Sequence, residues 1–473
     1  MLFSTVAFVC GFLPAVLLIY YTMLRGKRQA QNYFLLFSSL AFYAWGEPLF
    51  VFVLILSFTC NWAFGLLVYK YHDDRGRSKL FIVLMLIFNL SIMFIFKYLM
   101  FTIGNINLLF KSSLTVPKIL LPIGISFFTF QAISYVVDIY RGKKAAQKNL
   151  LNCGLFIAFF PALVAGPIIR YDTIADQIMD REETFDDFSE GACRFIVGLA
   201  KKVLLANSFA VVADRGFAMS QGGDTSVTFA WIGAIAYTLQ IYYDFSGYSD
   251  MAIGLGKMFG FKLPENFNYP YISGSASEFW RRWHISLGSW FRDYVYIPLG
   301  GSRVRTRRLV LNLFVVWLLT GIWHGANWTF ICWGLLYFVF ITIEKLTRFE
   351  SRSFPGVLKH AYLMLIVIAG WVLFRSGTIG GAVEYLGVMA GLAGKPLIDA
   401  NTVVYVKEYF YYFLFGIIFI TPAAKAVSAK AAKHGLLRTA TGALYAVAFS
   451  ALFLLTLSYL VKGTYNPFIY FNF

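Results

Sequence analysis

The chain has 473 residues, 59% of them hydrophobic, 19% aromatic and 14% charged, with 41 basic against 24 acidic residues for a net charge of +17. Soluble domains usually hold about 25% charged residues, and a disordered chain does not hold 50 Phe, 29 Tyr and 11 Trp, so both classes are excluded in favour of an all-α polytopic membrane protein. The basic residues sit in short runs between apolar segments, the pattern that sets membrane orientation rather than one that binds nucleic acid.

At about 20 residues per crossing, this length predicts about 10–12 transmembrane or re-entrant helices in a single membrane domain. N-terminal spanning helices are expected over 1–150, a catalytic core over 151–345 and C-terminal spanning helices over 346–473. The five cysteines are scattered without a CxxC pair and read as small buried hydrophobes, not as a disulfide or zinc framework.

The first apolar stretch, 2–21, has no basic residue before it and Arg25, Lys27 and Arg28 after it. A cleavable signal shows the reverse charge order, so a retained first helix with its N-terminus outside is expected. Segments 32–45 and 50–69 form a pair turning at Gly46-Glu47-Pro48. Segment 80–101 then crosses outward to a polar loop around Asn105 and Asn107, and 119–140 crosses back to Arg141-Gly142-Lys143-Lys144. The basic runs near Arg25, Arg75 and Lys143 land on one side after even numbers of crossings, which assigns that side to the cytoplasm of a multi-pass protein of the cell membrane.

Segment 151–169 is apolar but contains Pro161, Gly166 and Pro167. Proline removes a backbone donor, and broken backbone at membrane depth survives only inside protein or along a cavity, so a re-entrant segment is favoured over a kinked span. Residues 172–190 read as an exposed acidic loop. Later apolar segments fall near 192–217 (interrupted by Lys201-Lys202), 228–259, 309–343, 358–374, 409–421 and 440–461.

The run from Gln240 to Asp250 sets Asp244, Ser246 and Asp250 inside an apolar helix. Intramembrane carboxylates are costly and face a partner or a water-filled cavity. Two readings stay open, a capped kink and the wall of a polar tunnel. Next, Phe279 to Tyr294, read on one helix, separates Trp283, Phe291 and Tyr294 from Arg281, Arg282 and Arg292, as an interfacial segment would. The arginines suit lipid head groups or the phosphates of a cytoplasmic donor, since guanidinium matches phosphate oxygens. Near the middle of the 309–343 stretch stands His324, between Trp323 and Asn327 and far from Arg308 on one side and Glu344 on the other. An imidazole in hydrocarbon needs a partner, so the default reading is functional. The chain has no HExxH, GxSxG or GxxxxGK[ST], so metal hydrolysis, serine-nucleophile hydrolysis and P-loop chemistry lack their usual parts. A neutral imidazole can accept a hydroxyl proton and return it, which suits acyl transfer from a thioester to an alcohol and equally a His–Asp proton relay in a transporter.

These segments together resemble the membrane-bound O-acyltransferase family, in its bacterial alginate O-acetyltransferase branch. The resemblance is carried by Tyr43 to Pro48, Pro122 to Gln131, Phe160-Pro161 with Ala165-Gly166-Pro167, Asp244 to Asp250, Phe279 to His284, Tyr296 to Gly301 and Trp323-His324-Gly325. It implies tilted helices around a central tunnel, with His324 as the catalytic histidine and His284 assisting. Arg281, Arg282 and Arg292 would meet the donor, and Asp244, Ser246, Asp250, Asn327, Trp323 and Gln131 would line the donor site or tunnel. It further implies acetyl-CoA as donor with no permanently bound cofactor or metal. The acceptor would be an extracytoplasmic polysaccharide, presented by an acetyltransferase or acceptor-presenting partner outside, with lipids around the protein and no nucleic acid. The alternatives are D-alanyl transfer to teichoic acid, the role of related proteins sharing the Arg-Arg-Trp-His core, and a proton-coupled exporter. The tunnel is expected to open to both faces, narrowest at His324, with His284 on the cytoplasmic side.

Overall fold

The computed structural model describes residues 1–423, 425–426, 437–463 and 465–469, and among them the chain contains helices and no strand. Hydrocarbon offers no partner to a backbone N–H or C=O, so an apolar chain that crosses it must satisfy those groups internally, as helices do. Among the described residues eight helices are long and apolar enough to cross: Val51–Lys70, Arg75–Phe110, Phe185–Ser220, Thr306–His324, Trp328–Thr347, Gly356–Arg375, Ala400–Phe419 and Leu444–Lys462. Three shorter apolar helices, Ala7–Tyr21, Ile125–Tyr140 and Ile379–Met389, accompany them. The protein is a multi-pass membrane protein. Its chain divides into two compact units, residues 1–195 with 248–264, and residues 196–247 with 265–473.

In the first unit the expected pair of segments appears as Arg28–Gly46 and Val51–Lys70. The expected loop at Asn105 and Asn107 does not. The helix begun at Arg75 runs on to Phe110, because Asn105 donates to its own helix at Phe101 O, 2.7 Å away, while Asn107 uses its amide on Ser112 and Leu114. The next helix starts only at Ile125, not near 119. Pro122 precedes it, and Gly124 has a φ of 77° beside Leu163, whose carbonyl oxygen would lie 2.6 Å from a Cβ there. Leu150–Ala158, capped by Asn149, has nine residues, about 14 Å of helix, and cannot cross. The chain breaks at Phe159, makes one turn at Phe160–Leu163 and continues without helix, buried throughout. That accords with a re-entrant segment.

The expected acidic loop 172–190 is only partly exposed. Tyr171, Ile174 and Ile178 are buried, and Arg181, 5% exposed, anchors the segment. Its guanidinium donates to Asn32 Oδ1 (2.7 Å), Ile178 O (2.8 Å), Tyr20 Oη (3.1 Å) and Phe259 O (3.1 Å). Arg28 pairs with Glu183 beside it.

In the second unit two expected interruptions are absent. Lys201-Lys202 sits in a π-helical turn, Lys201–Ala206, inside the continuous Phe185–Ser220 helix. The polar run 240–250 lies within an unbroken helix, Val227–Met258, so there is no capped kink. One pairing explains both: Lys202 Nζ lies 2.6 Å from Asp244 Oδ1, and neither charge needs to break the backbone to find a partner.

Two further expectations are corrected here. The 309–343 stretch is a hairpin, Thr306–His324 and Trp328–Thr347, closed by residues 325–327. At 19 and 20 residues, each arm is about 30 Å long, so His324 stands at a helix end rather than mid-span. Gly321 and Gly334 let the arms touch: a Cβ on Gly321 would lie 2.6 Å from Phe330 O, the small-residue contact that joins helices in membranes. The 279–294 segment is two short helices, Ala276–Arg282 and Ile285–Phe291. They part at Trp283 and at His284, whose φ of 46° is left-handed. Toward the C-terminus the helices are Ala400–Phe419 and Leu437–Lys462. The core of this unit is aromatic, centred on Phe279, Trp283, Trp317, Trp333, Tyr337 and Trp371.

Candidate functional site

A cavity of about 770 Å³ in the second unit is lined by His284 with Arg281 and Arg292, and walled by Leu313, Val316, Trp317 and Ile341. That volume and that mixture of apolar wall with a few polar groups suit a cofactor-sized organic ligand. Lys345 and Arg348 add two cations that the sequence did not single out. Arg281 donates to Glu350 (2.7 Å), and Arg292 to Asp293 (2.7 Å); both arginines remain 60% exposed by side chain and so keep donors for an anion. Arg282 does not line the cavity. It pairs with Glu278 at 2.9 Å and donates to Asn268 O.

Glu344 was also missed by sequence. It is 2% exposed and accepts from Ala276 N (2.7 Å), Ser277 N (2.8 Å) and Ser277 Oγ (2.7 Å). It thereby caps the helix that carries Trp280 and Arg281, placing a carboxylate at a helix N-terminus where the dipole favours it. Its only sequence signal is its place as the first carboxylate after the apolar run.

His284 is 1% exposed. Its Nδ1 meets Asn266 Oδ1 at 3.1 Å, and Phe245 stands edge-on to its ring at 4.6 Å. Burial pushes its pKa down to about 3, so the imidazole is neutral at physiological pH. Asn266, wholly buried, belongs to no motif and could not have been found by spacing.

His324 is 5% exposed and closes its helix within an aromatic cage of Trp333 (4.8 Å), Trp323 (5.0 Å) and Phe374 (5.3 Å). Trp323 also faces His284, at 6.0 Å, so one indole lies against both histidines. His324 does not line the 770 Å³ cavity. Trp280 does, and Trp280 packs at 5.4 Å on Trp333, the ring next to His324. Within this unit, then, the cavity reaches His284 and is separated from His324 by indoles. The expected narrowing at His324 is therefore not a feature of this cavity.

Asp244, Ser246 and Asn327 are not among the residues that line this cavity. Asp244 pairs with Lys202 and accepts from Ile469 N at 2.9 Å, while Lys202 also donates to Pro467 O. Ser246 is 2% exposed, its hydroxyl without a described protein partner. Asn327 accepts from Thr329 N and donates to Gly377 O, each at 3.0 Å, fastening the turn after His324. Asp250 and Gln131 belong to the first unit. There Asp250 accepts from Arg194 at 2.9 and 3.0 Å, and Gln131 is 1% exposed with neither end of its amide bonded to a described group.

Comparison with known proteins gives the family. The profile described as "MBOAT, membrane-bound O-acyltransferase family" matches residues 143–377, which include His284 and His324. The chain is 44% identical to the "Probable alginate O-acetylase AlgI" of Pseudomonas syringae pv. tomato, over 85% of this chain and 77% of that protein. It is 38% identical to the protein of the same description from Azotobacter vinelandii, over 100% of both. It is 35% identical to the "Peptidoglycan O-acetyltransferase" of Helicobacter pylori, over 84% of this chain and 81% of that protein. With both histidines inside the matched region and similarity running along most of its length, this chain belongs to the membrane-bound O-acyltransferase family and is an acyltransferase.

Proposed function

We propose that this protein O-acetylates a polysaccharide outside the membrane, taking the acetyl group from acetyl-CoA inside. The names of its relatives support acetylation of a polysaccharide. The observation that carries the donor side is the cavity holding a neutral His284 among Arg281, Arg292, Lys345 and Arg348. Those cations lie at the end of the hairpin that also bears Arg303, Arg305, Arg307 and Arg308, and basic residues mark the cytoplasmic side. A CoA phosphate cannot enter hydrocarbon. It can meet guanidinium groups at this rim while the pantetheine arm lies along the apolar wall.

His324 lies at the far end of the same helix, about 28 Å along its axis, on the side where a polymer acceptor is found. An imidazole there takes the proton from a sugar hydroxyl as it attacks the thioester carbonyl, and the thiolate leaves toward the cytoplasmic cavity. The acetyl group passes the indoles of Trp280 and Trp333 before that attack, while it is still bonded to the pantetheine sulfur. No permanently bound cofactor enters this scheme. Delivery of the polymer falls to an acceptor-presenting or acetyltransferase partner outside.

The test is thiol release. Purified protein in lipid vesicles should liberate CoA thiol from acetyl-CoA when an acceptor glycan is present, and His324→Gln should fold normally with a rate about 10²–10⁴-fold lower, the usual cost of losing a general base. Wild-type turnover in a folded His324→Gln protein ends the assignment of His324. Export of an acyl group without thiol release favours the transporter, and release only from a D-alanyl carrier thioester favours the teichoic acid reaction.

A further inference from the structure

We propose that Asn266 is a positioning residue that fixes the tautomer of His284, holding the proton on Nδ1 and leaving Nε2 as the ring's lone-pair atom. The role this gives His284 rests on the acyl-transfer reading above; the tautomer itself does not.

The argument begins at Ser286. Its backbone N–H lies 3.2 Å from Asn266 Oδ1, and its hydroxyl lies 2.9 Å from the same atom. A backbone N–H can only donate, so the end of the Asn266 amide facing it is the carbonyl oxygen and not the NH₂ group. His284 Nδ1 meets that same oxygen at 3.1 Å. An acceptor must be met by a donor, so Nδ1 carries a hydrogen. Ser286 Oγ is 3.5 Å from Nδ1, and its hydrogen is directed to the nearer Asn266 oxygen. Burial holds the ring neutral, so it has one hydrogen, and Nε2 has none.

Asn266 also holds the backbone that aims the ring. Its own carbonyl accepts from Ile285 N at 3.0 Å, so side chain and main chain of one buried residue grip positions 284 to 286. His284 sits there with a φ of 46°, a conformation that a non-glycine residue keeps only when its surroundings impose it. Such conformations gather at functional sites. Among the groups on the ring are Phe245, Trp323, Asn266 and Ser286; the ionisable groups that line the same cavity are Arg281, Arg292, Glu344, Lys345, Arg348 and Glu350.

The consequence is chemical. In the resting protein His284 is a hydrogen-bond acceptor at Nε2 and has no proton to give the departing thiolate. It serves the donor cavity by accepting a hydrogen bond, as a pantetheine amide N–H could supply, and not as a general acid.

The experiment uses full-length protein in lipid nanodiscs with ¹⁵N-labelled histidine, the His284 resonances being assigned by their loss in His284→Gln. Wild type should show a protonated Nδ1 and a bare Nε2. Asn266→Asp keeps the acceptor but sets a negative charge against Nδ1–H, which favours the imidazolium. Its thiol-release rate should therefore gain an acid limb at least about one pH unit above any in wild type, a tenfold loss of rate at a fixed pH below it. A merely structural Asn266 would leave the shape of that profile alone. A protonated Nε2 in wild type, or an Asn266→Asp profile superimposable on wild type, overturns the proposal. If Asn266→Asp does not fold, the wild-type spectrum decides alone. If wild type releases no thiol, the acyl-transfer reading fails while the spectrum still decides the tautomer.

Discussion

At the scale of single residues the cavity beside His284 is governed by the difference between an exposed cation and a buried neutral ring. Arg281 and Arg292 each hold one carboxylate yet keep most of their surface in water, so under the proposed function a donor phosphate would exchange with solvent and not with a buried partner. Replacing both by Gln should raise the acetyl-CoA KM at least about tenfold with a smaller change in kcat, the sign of lost ground-state binding. Steady-state thiol release against donor concentration reads this directly; a fall in kcat with KM unchanged would make the arginines structural. Arg282, fastened to Glu278 and Asn268 O, should be far less sensitive. The sequence offered all three arginines on equal terms, because a run of like residues says nothing about which of them is tied down. It marked His324 clearly, as an ionisable ring far from any charge, whereas Asn266, Glu344, Lys345 and Arg348 stayed hidden. Their roles come from atoms they meet many positions away, and no local spacing records that.

At the scale of elements, the Val227–Met258 helix tolerates Asp244 because Lys202 on the Phe185–Ser220 helix meets it, both nearly without exposure. Removing one member of a buried pair strands the other charge, which costs about 3–5 kcal/mol. Lys202→Met should therefore lower the thermal unfolding temperature strongly, while Lys202→Met with Asp244→Leu should recover most of the loss. Unfolding in detergent followed by intrinsic fluorescence compares the two, and a double variant as unstable as the single one would locate the damage elsewhere, for example in the lost bonds to Pro467 O and Ile469 N. Read along the chain, Lys201-Lys202 and the 240–250 run are each a blemish in an apolar segment. Hydropathy treats them as two breaks; in space they satisfy each other and both helices continue. The hairpin at His324 shows the reverse case. Hydropathy sees one apolar stretch, and the turn at residues 325–327 exists because Gly321 and Gly334 let the two arms close on each other.

At the scale of the whole molecule the testable quantity is sidedness. In a background with the five native cysteines replaced by serine, Ser302→Cys near the basic end of the hairpin should react with an impermeant maleimide only from the cytoplasmic side. Gly377→Cys, next to the turn after His324 and with space for a side chain, should react only from outside. Labelling of both from one side would remove the argument that donor and acceptor approach from opposite faces. The sequence by itself determined that this is a helical membrane protein. It also placed most of the spans, supplied from the basic runs an orientation for the labelling to test, and carried the segments by which the family is recognised. Those properties are sums over neighbouring residues: hydropathy over about 20 positions, charge over a loop, identity within a motif. Only the tertiary structure decided that His324 ends a helix, that Asp244 belongs to Lys202, that indoles separate the cavity from His324, and that Asn266 holds His284. Each of these is a contact between residues distant in the chain, set by where helices pack and which buried donor must find an acceptor, and such pairings leave no periodic trace in the order of the amino acids.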